Sequence, residues 1–175
     1  MADSYTTKRL LAASLKELMQ EKPFEKISIS DICDKCQMNR KSFYYHFKDK
    51  YDLVNWIFDS EFTEVMKDAM KKRTWEIMTI MNDILYQNRV FYRKALQIYG
   101  QNSFADHFYD SIFQIISSRF EDLMDIKEGH EFQKRYFTDA IVITYKRWLI
   151  EYTDMTPETF MVEISKCLEL MKTKG

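Results

Sequence analysis

Asn39-Arg-Lys-Ser-Phe-Tyr-Tyr-His-Phe-Lys-Asp-Lys50 is the stretch that decides how the rest of the chain is read. Asn39 is a good helix N-cap, because its short side-chain carbonyl can accept from a backbone N–H near the start of a helix. A helix is therefore expected from Arg40 to Phe47. On it Phe43 and Phe47 lie four apart and point inward, while Arg40, Lys41, Tyr44 and Tyr45 lie around the outer side. Those outer groups suit a DNA groove. Arg and Lys fit guanine edges or phosphate, and Tyr offers a hydroxyl to phosphate and a ring to a thymine methyl. His46 and Lys50 would flank the groove at backbone phosphates. Backbone N–H groups near Asp49 and Lys50, at the start of the next helix, would receive another phosphate. Ser28, Asn39 and Ser42 complete the candidate DNA-binding set.

The flanking sequence agrees. Upstream, Ser28-Ile-Ser-Asp31 has the form of a capping box and starts a short helix that ends near Cys36. Leu11, Leu15 and Leu18 recur at helical spacing in a first helix from about Ser4 to Gln20, and Phe24 and Ile27 are expected as core plugs in the connection. Downstream, Asp49 with Asp52 caps a fourth helix whose apolar positions Val54, Ile57, Phe58, Phe62 and Val65 continue almost to Lys72. Two helices of about seven residues joined by a three-residue turn, after a longer one, outline a helix-turn-helix.

Charge is distributed to match. Ten Lys/Arg against seven Asp/Glu give residues 1–50 a charge of +3, and the remaining residues carry −4. A small basic patch on a mildly acidic body suits a protein that meets DNA at one end.

The run from Ile27 to Leu53, containing Ile-Ser-Ile-Ser-Asp-Ile-Cys and Asn-Arg-Lys-Ser-Phe-Tyr-Tyr-His-Phe-Lys-Asp-Lys, resembles the signature of the TetR family of bacterial transcription regulators. The likeness covers about residues 6–60. Two positions depart from it: Cys36-Gln37 stands where the family usually has Ala-Gly, and Ser42 where Thr is usual. Glycine accepts a left-handed backbone at no steric cost, so Gln37 implies a strained or differently shaped turn. The resemblance implies a DNA-binding domain over 1–52, with its reading unit at about 28–47. It also implies a helical effector-binding and dimerisation domain over 53–175, and a homodimer on a pseudo-palindromic double-stranded operator. Lys50–Phe58, Phe91–Leu96 and Gly100–Phe104 are further similar to a subgroup labelled dihydroxyacetone kinase regulators, which implies a link to dihydroxyacetone metabolism. In one regulator of that group the effector is a partner protein that senses dihydroxyacetone. The effector is thus open between a protein and a small molecule.

The remainder of the chain reads as helices, at about 75–88, 90–100, 104–125, 131–153 and 157–172, so the expected fold is all-α. Under the resemblance the last two helices build the dimer as a four-helix bundle. Tyr145, Trp148, Leu149, Phe160, Ile164, Leu168 and Met171 are candidates for that surface, or else close the core of one chain. Arg93, Tyr99, Asn102 and His107 are the polar residues expected near an effector cavity. The fourth helix joins the reading helix through Asp49–Tyr51 without a flexible linker, so it is the expected lever between effector and DNA.

Other classes find little support. Three glycines, at 100, 129 and 175, cannot build a phosphate-cradling GxGxxG or GxxxxGK[ST] loop. Cys33-x-x-Cys36 lacks further ligands for zinc, with Cys167, His46, His107 and His130 dispersed, so buried structural thiols are expected and no metal or cofactor. A helical di-iron enzyme needs Glu-x-x-His, and position −3 from the three histidines holds Phe43, Phe104 and Lys127. HExxH and GxSxG are absent. A helical interaction protein that keeps the fold without binding DNA is the other alternative. No run of about 18 apolar residues suggests a membrane span, and the polar start MADSYTTKRLL and the odd cysteine count point to the cytoplasm.

Overall fold

The computed structural model describes residues 4–67, 73–98, 103–124 and 130–172. Among these residues it contains nine α-helices and no strand: α1 (Ser4–Glu21), α2 (Ile29–Lys35), α3 (Arg40–His46), α4 (Lys50–Lys67), α5 (Thr74–Gln87), α6 (Arg89–Ala95), α7 (Phe104–Met124), α8 (Glu131–Ile150) and α9 (Pro157–Lys172). Packing divides them into two compact units, Met1–Glu61 with Val90–His107, and Phe62–Arg89 with Phe108–Gly175. The division falls inside α4, so the packing unit that holds the reading helix is larger than the 1–52 segment expected to meet DNA.

In the first unit Leu11, Leu15 and Met19 of α1 are fully buried with Phe24, Ile27, Ile32 and Phe43. Phe24 and Ile27 are core plugs, as their position between two helices suggested. The turn between α2 and α3 carries the backbone cost foreseen at Gln37, which sits at φ 56°. Gln37 N–H donates to Asp34 O at 3.1 Å and Met38 N–H to Cys33 O at 2.8 Å, the closing bonds of a left-handed helix stop. A Cβ in that region costs about 1–2 kcal/mol. Gln37→Gly is therefore expected to stabilise the chain by about 1 kcal/mol, read as a higher denaturant midpoint with an unchanged slope. An unchanged or lower midpoint contradicts this account of the turn.

Two expected helices are shorter than the periodicity suggested. α6 stops at Ala95 instead of running to 100, because Gln97 and Ile98 donate to carbonyls only three residues back and tighten the chain into a turn. α8 stops at Ile150 instead of 153. There the Trp148 indole N–H donates to Met155 O at 2.8 Å and folds the connection back onto the helix. Expected residues Tyr99 and Asn102, and the helix 4 segment after Lys67, lie outside the described residues, as does the side chain of Val65.

In the second unit Tyr145, Trp148, Leu149, Phe160, Ile164 and Leu168 are all buried within a single chain. Trp148 stacks on Phe160 at 4.3 Å between centroids and on Tyr86 at 6.1 Å. These six residues close the core of the single chain, the second of the two roles their sequence left open; the side chain of Met171 lies outside the described set. The opposite side of α8 carries the exposed apolar groups Phe132 (79% exposed), Tyr136 and Ile143, and α9 exposes Val162 and Leu170. At 100° per residue, positions 132, 136, 139 and 143 fall on one stripe, about half a turn from 138, 141 and 145.

Candidate nucleic-acid interface

Each helix of the reading unit is started by a side chain placed for that purpose. Ser28 Oγ accepts from Asp31 N–H at 3.1 Å, and Asp31 Oδ2 accepts from Ser28 N–H at 2.7 Å, which completes the capping box. Those Ser28 bonds, backbone first, and the Lys22 ammonium 3.1 Å away hold the Asp31 carboxyl down at about 2. Asn39 Oδ1 accepts from Ser42 N–H at 2.8 Å and fixes where α3 begins. Asp49 Oδ1 accepts from Tyr51 and Asp52 N–H, and Asp52 Oδ2 from Lys48 N–H. Carboxylates thus occupy the start of α4 where a phosphate was expected to be received; the negative charge of Asp49 and Asp52 takes the place an anion would need.

On α3, Phe43 and Phe47 are buried with rings 5.7 Å apart, and the polar side faces outward as the spacing required. Arg40 and Lys41 are exposed. The Arg40 guanidinium donates to Tyr44 Oη at 3.4 Å and lies 5.9 Å from its ring, so these two side chains hold each other in place. Tyr44 is half exposed, and Tyr45 projects further, at 82% exposure. His46 is half-buried with its ring edge-on to Tyr45. Ser28 and Asn39 are exposed, whereas Ser42 is half-buried.

Lys50 is placed differently from the expectation of a groove-flanking cation. Its ammonium donates to Phe24 O and Ile27 O, each at 2.8 Å, and to Glu25 O at 3.4 Å, and lies 4.3 Å from the Phe24 ring. Burial pulls its pKa below the usual lysine value, while Glu25 and Asp31 oppose that. It closes the connection between α1 and α2 from the start of α4.

Sequence reasoning missed five further side chains that position this unit. Lys8 lies over the rings of Phe47 and Trp56, at 5.5 and 5.6 Å, tying α1 to the end of the reading helix. Glu61 accepts from both Lys16 and the Tyr92 hydroxyl. Burial, and then the Glu61 charge, raise the Tyr92 phenol well above its usual value. Lys94 donates to the carbonyls of Met19 and Gln20, which the end of α1 leaves without helical partners. No local motif marks these pairs, since their members lie 31 to 75 residues apart.

Of the expected effector residues, His107 bonds through Nε2 to Asp59 Oδ1 at 2.7 Å in the first unit, and Arg93 is half-buried on α6. Neither lines the apolar cleft of the second unit. That cleft has about 20 Å3 of room, enough for a single water, among Thr74, Ile77, Met78, Met81, Ile112, Ile115, Ile116, Arg119 and Ile141. Cys33 is buried, with its thiol pKa raised by that burial. The half-buried Cys36 thiol points to Ile32 O at 3.3 Å, and Cys167 is exposed. Among the described residues no helix is long and apolar enough to cross a membrane.

The geometry has counterparts among known proteins. Residues 10–57 match the family described as bacterial regulatory proteins, tetR family, and residues 73–170 match its transcriptional regulator C-terminal region. The HTH-type dhaKLM operon transcriptional activator DhaS of Lactococcus lactis subsp. lactis (strain IL1403) is 32% identical over 100 residues, covering 56% of this chain and 53% of that protein. The chain thus matches about half the length of that curated relative. A solved structure of dihydroxyacetone kinase operon activator DhaS superimposes with a TM-score of 0.71 at 22% identity, over 95% of this chain and 96% of that one. NalD, the secondary repressor of the MexAB-OprM multidrug efflux pump in Pseudomonas aeruginosa, superimposes with a TM-score of 0.64 at 14% identity, over 95% of each chain. With both its N-terminal and its C-terminal parts matched, the chain belongs to the TetR family of transcriptional regulators.

Proposed function

We propose that this chain binds a pseudo-palindromic operator as a homodimer and releases or holds it according to an effector bound in its second unit. The observation that carries the reading is the outer side of α3. Arg40, Lys41, Tyr44 and Tyr45 stand free of the core on a helix that Asn39 caps at its start and that Phe43 and, just past its end, Phe47 anchor. DNA binding requires such a surface; a helical interaction protein does not require it to be basic and phenolic. The dimer forms through the exposed stripe of α8 and the outward side of α9. The effector site is the apolar cleft of α5, α7 and α8, and α4, whose residues belong to both units, carries its effect toward α3. The name of the Lactococcus relative, an operon activator for dihydroxyacetone kinase, supports a target in dihydroxyacetone metabolism. A protein that reads the chromosome works in the bacterial cytoplasm.

The test is binding to promoter-length DNA over a range of salt. Tyr44→Ala and Tyr45→Ala are expected to lose roughly 1–3 kcal/mol on the operator and much less on random DNA, and Lys41→Ala to reduce the salt slope by about 1. Equal losses on operator and random DNA for all three variants contradict the assignment of base-reading side chains. No salt-dependent binding of any promoter fragment from the neighbouring genes contradicts DNA binding itself.

A further inference from the structure

In the first unit α1 and α4 leave a groove between them with about 340 Å3 of room. That lies within the range of small-molecule sites and far above the single water that the second-unit cleft admits. The cause is local: Ala12 and Ala13 present only methyl groups where α1 passes Ile57 and Ser60 of α4. At one end the Tyr5 ring meets the Trp56 ring edge-on, with centroids 6.1 Å apart. At the other end Lys16 is paired with Glu61. Arg9 stands one turn from Tyr5 on the same face of α1. It is exposed, and among the described residues it has no ionic or hydrogen-bonding partner. Arg9 and Lys16 against Glu61 give the lining a net charge of +1.

We propose that this groove is a ligand site separate from the second-unit cleft, that it takes a planar aromatic monocarboxylate, and that its occupant acts on operator binding directly. The lining sets the class. A guanidinium holds a carboxylate through two parallel N–H donors, and one unpaired cation matches one negative charge. A dianionic phosphate would bring a second charge toward Glu61, whose own charge already engages Lys16. The corner of Tyr5 and Trp56 suits a flat ring, packed on an edge or a face. Buried Ala12 and Ile57 supply an apolar floor beneath it. The route to DNA is short. The Trp56 ring lies 5.7 Å from that of Phe47, just past the end of α3, and Lys8 covers both. An occupant that shifts the indole therefore shifts an anchor of the reading helix without passing through the second unit.

Two probes of one shape, 2-naphthoate and the neutral 2-naphthamide, test this by titration calorimetry on the full chain. The parent is expected to bind 2-naphthoate about fivefold tighter than the amide, the contribution of one exposed ion pair of good geometry, and Arg9→Gln to lose that preference. Ala13→Phe, which puts a ring into the groove from an exposed position, is expected to weaken both probes about tenfold or more. Saturating 2-naphthoate is expected to shift the parent's operator affinity about fivefold, the lower end of coupling between two sites. Equal binding of the two probes to the parent overturns the carboxylate, and inorganic phosphate competing as well as 2-naphthoate overturns the aromatic ring. Arg9→Gln that lowers the salt slope of operator binding and leaves 2-naphthoate binding as it was gives Arg9 to a DNA phosphate and overturns its part in the site. Both probes unchanged in Ala13→Phe, or neither binding the parent at its solubility limit, overturns the groove. An operator affinity that saturating 2-naphthoate leaves unchanged overturns the action on DNA. Each of these outcomes is independent of the second-unit cleft.

Discussion

Lys50→Met is expected to lower the stability of the chain by about 2–3 kcal/mol and its operator affinity at least tenfold, with no change in the salt dependence of binding. The ammonium is bonded to three backbone carbonyls of the α1–α2 connection, two of them at 2.8 Å, and covers the Phe24 ring. Methionine keeps the apolar stem and removes every donor. Phe24 O and Ile27 O are then left without the Lys50 ammonium beside residues that are 2% and 1% exposed. Hydrogen bonds to a charged group contribute more than neutral ones, which sets the size of the loss. Since this connection leads into Ser28 and the capping box of α2, loosening it also loosens the turn that presents α3. A phosphate contact makes a different forecast. Its loss leaves the denaturant midpoint where it was and lowers the slope of log affinity against log salt by about 1. Lys41→Ala, at an exposed position, supplies that pattern for comparison. An unchanged midpoint in Lys50→Met, with a reduced salt slope, would return Lys50 to the phosphates.

The contrast between Lys41 and Lys50 shows what a sequence makes legible. Caps are local: Ser28 with Asp31, Asn39 with Ser42, and Asp49 with Asp52 each act across three residues, so helix starts could be placed from composition and spacing. The inward pair Phe43 and Phe47 follows from the same local geometry. Even the strain at Gln37 was readable, because a non-glycine residue in a left-handed turn is a fact about one position. Lys50 bonds to residues 23 to 26 positions away, and Lys94 to one 75 away. Nothing in spacing distinguishes a lysine that meets phosphate from one that staples a distant loop. α8 posed a related difficulty. It carries large apolar groups on both sides, Ile141 and Tyr145 on one and Phe132, Tyr136 and Ile143 on the other. Aromatic bulk drew attention to the side that the single chain buries. Arg93 and His107, polar groups near a helix break, do not line the apolar cleft of the second unit, which is built by side chains from three separate helices that no local spacing brings together.

Tyr136→Asp combined with Ile143→Asp is expected to turn the proposed dimer into a folded monomer and to weaken operator binding by two to three orders of magnitude. Phe132, Tyr136 and Ile143 project from α8 on the side away from its core, and Val162 and Leu170 project from α9. A surface of this composition is costly to leave in water and suits a self-complementary contact. In a two-fold interface each substitution occurs twice, so four carboxylates join the Asp139 of each chain on a stripe whose other members are apolar, where like charges repel at low dielectric. A monomer presents one α3 to one half-site, and a single short reading helix contacts too few bases for tight specific binding. The core side of α8 gives the opposite result. Trp148→Ala removes a ring stacked on Phe160 and Tyr86, and truncating a buried aromatic costs about 3–5 kcal/mol, so that variant loses fold before it loses partner. Light scattering at micromolar concentration, with thermal unfolding of each variant, separates the two. A stable dimer in the Tyr136→Asp, Ile143→Asp chain removes the exposed stripe from the interface, and a parent that is monomeric removes the dimer.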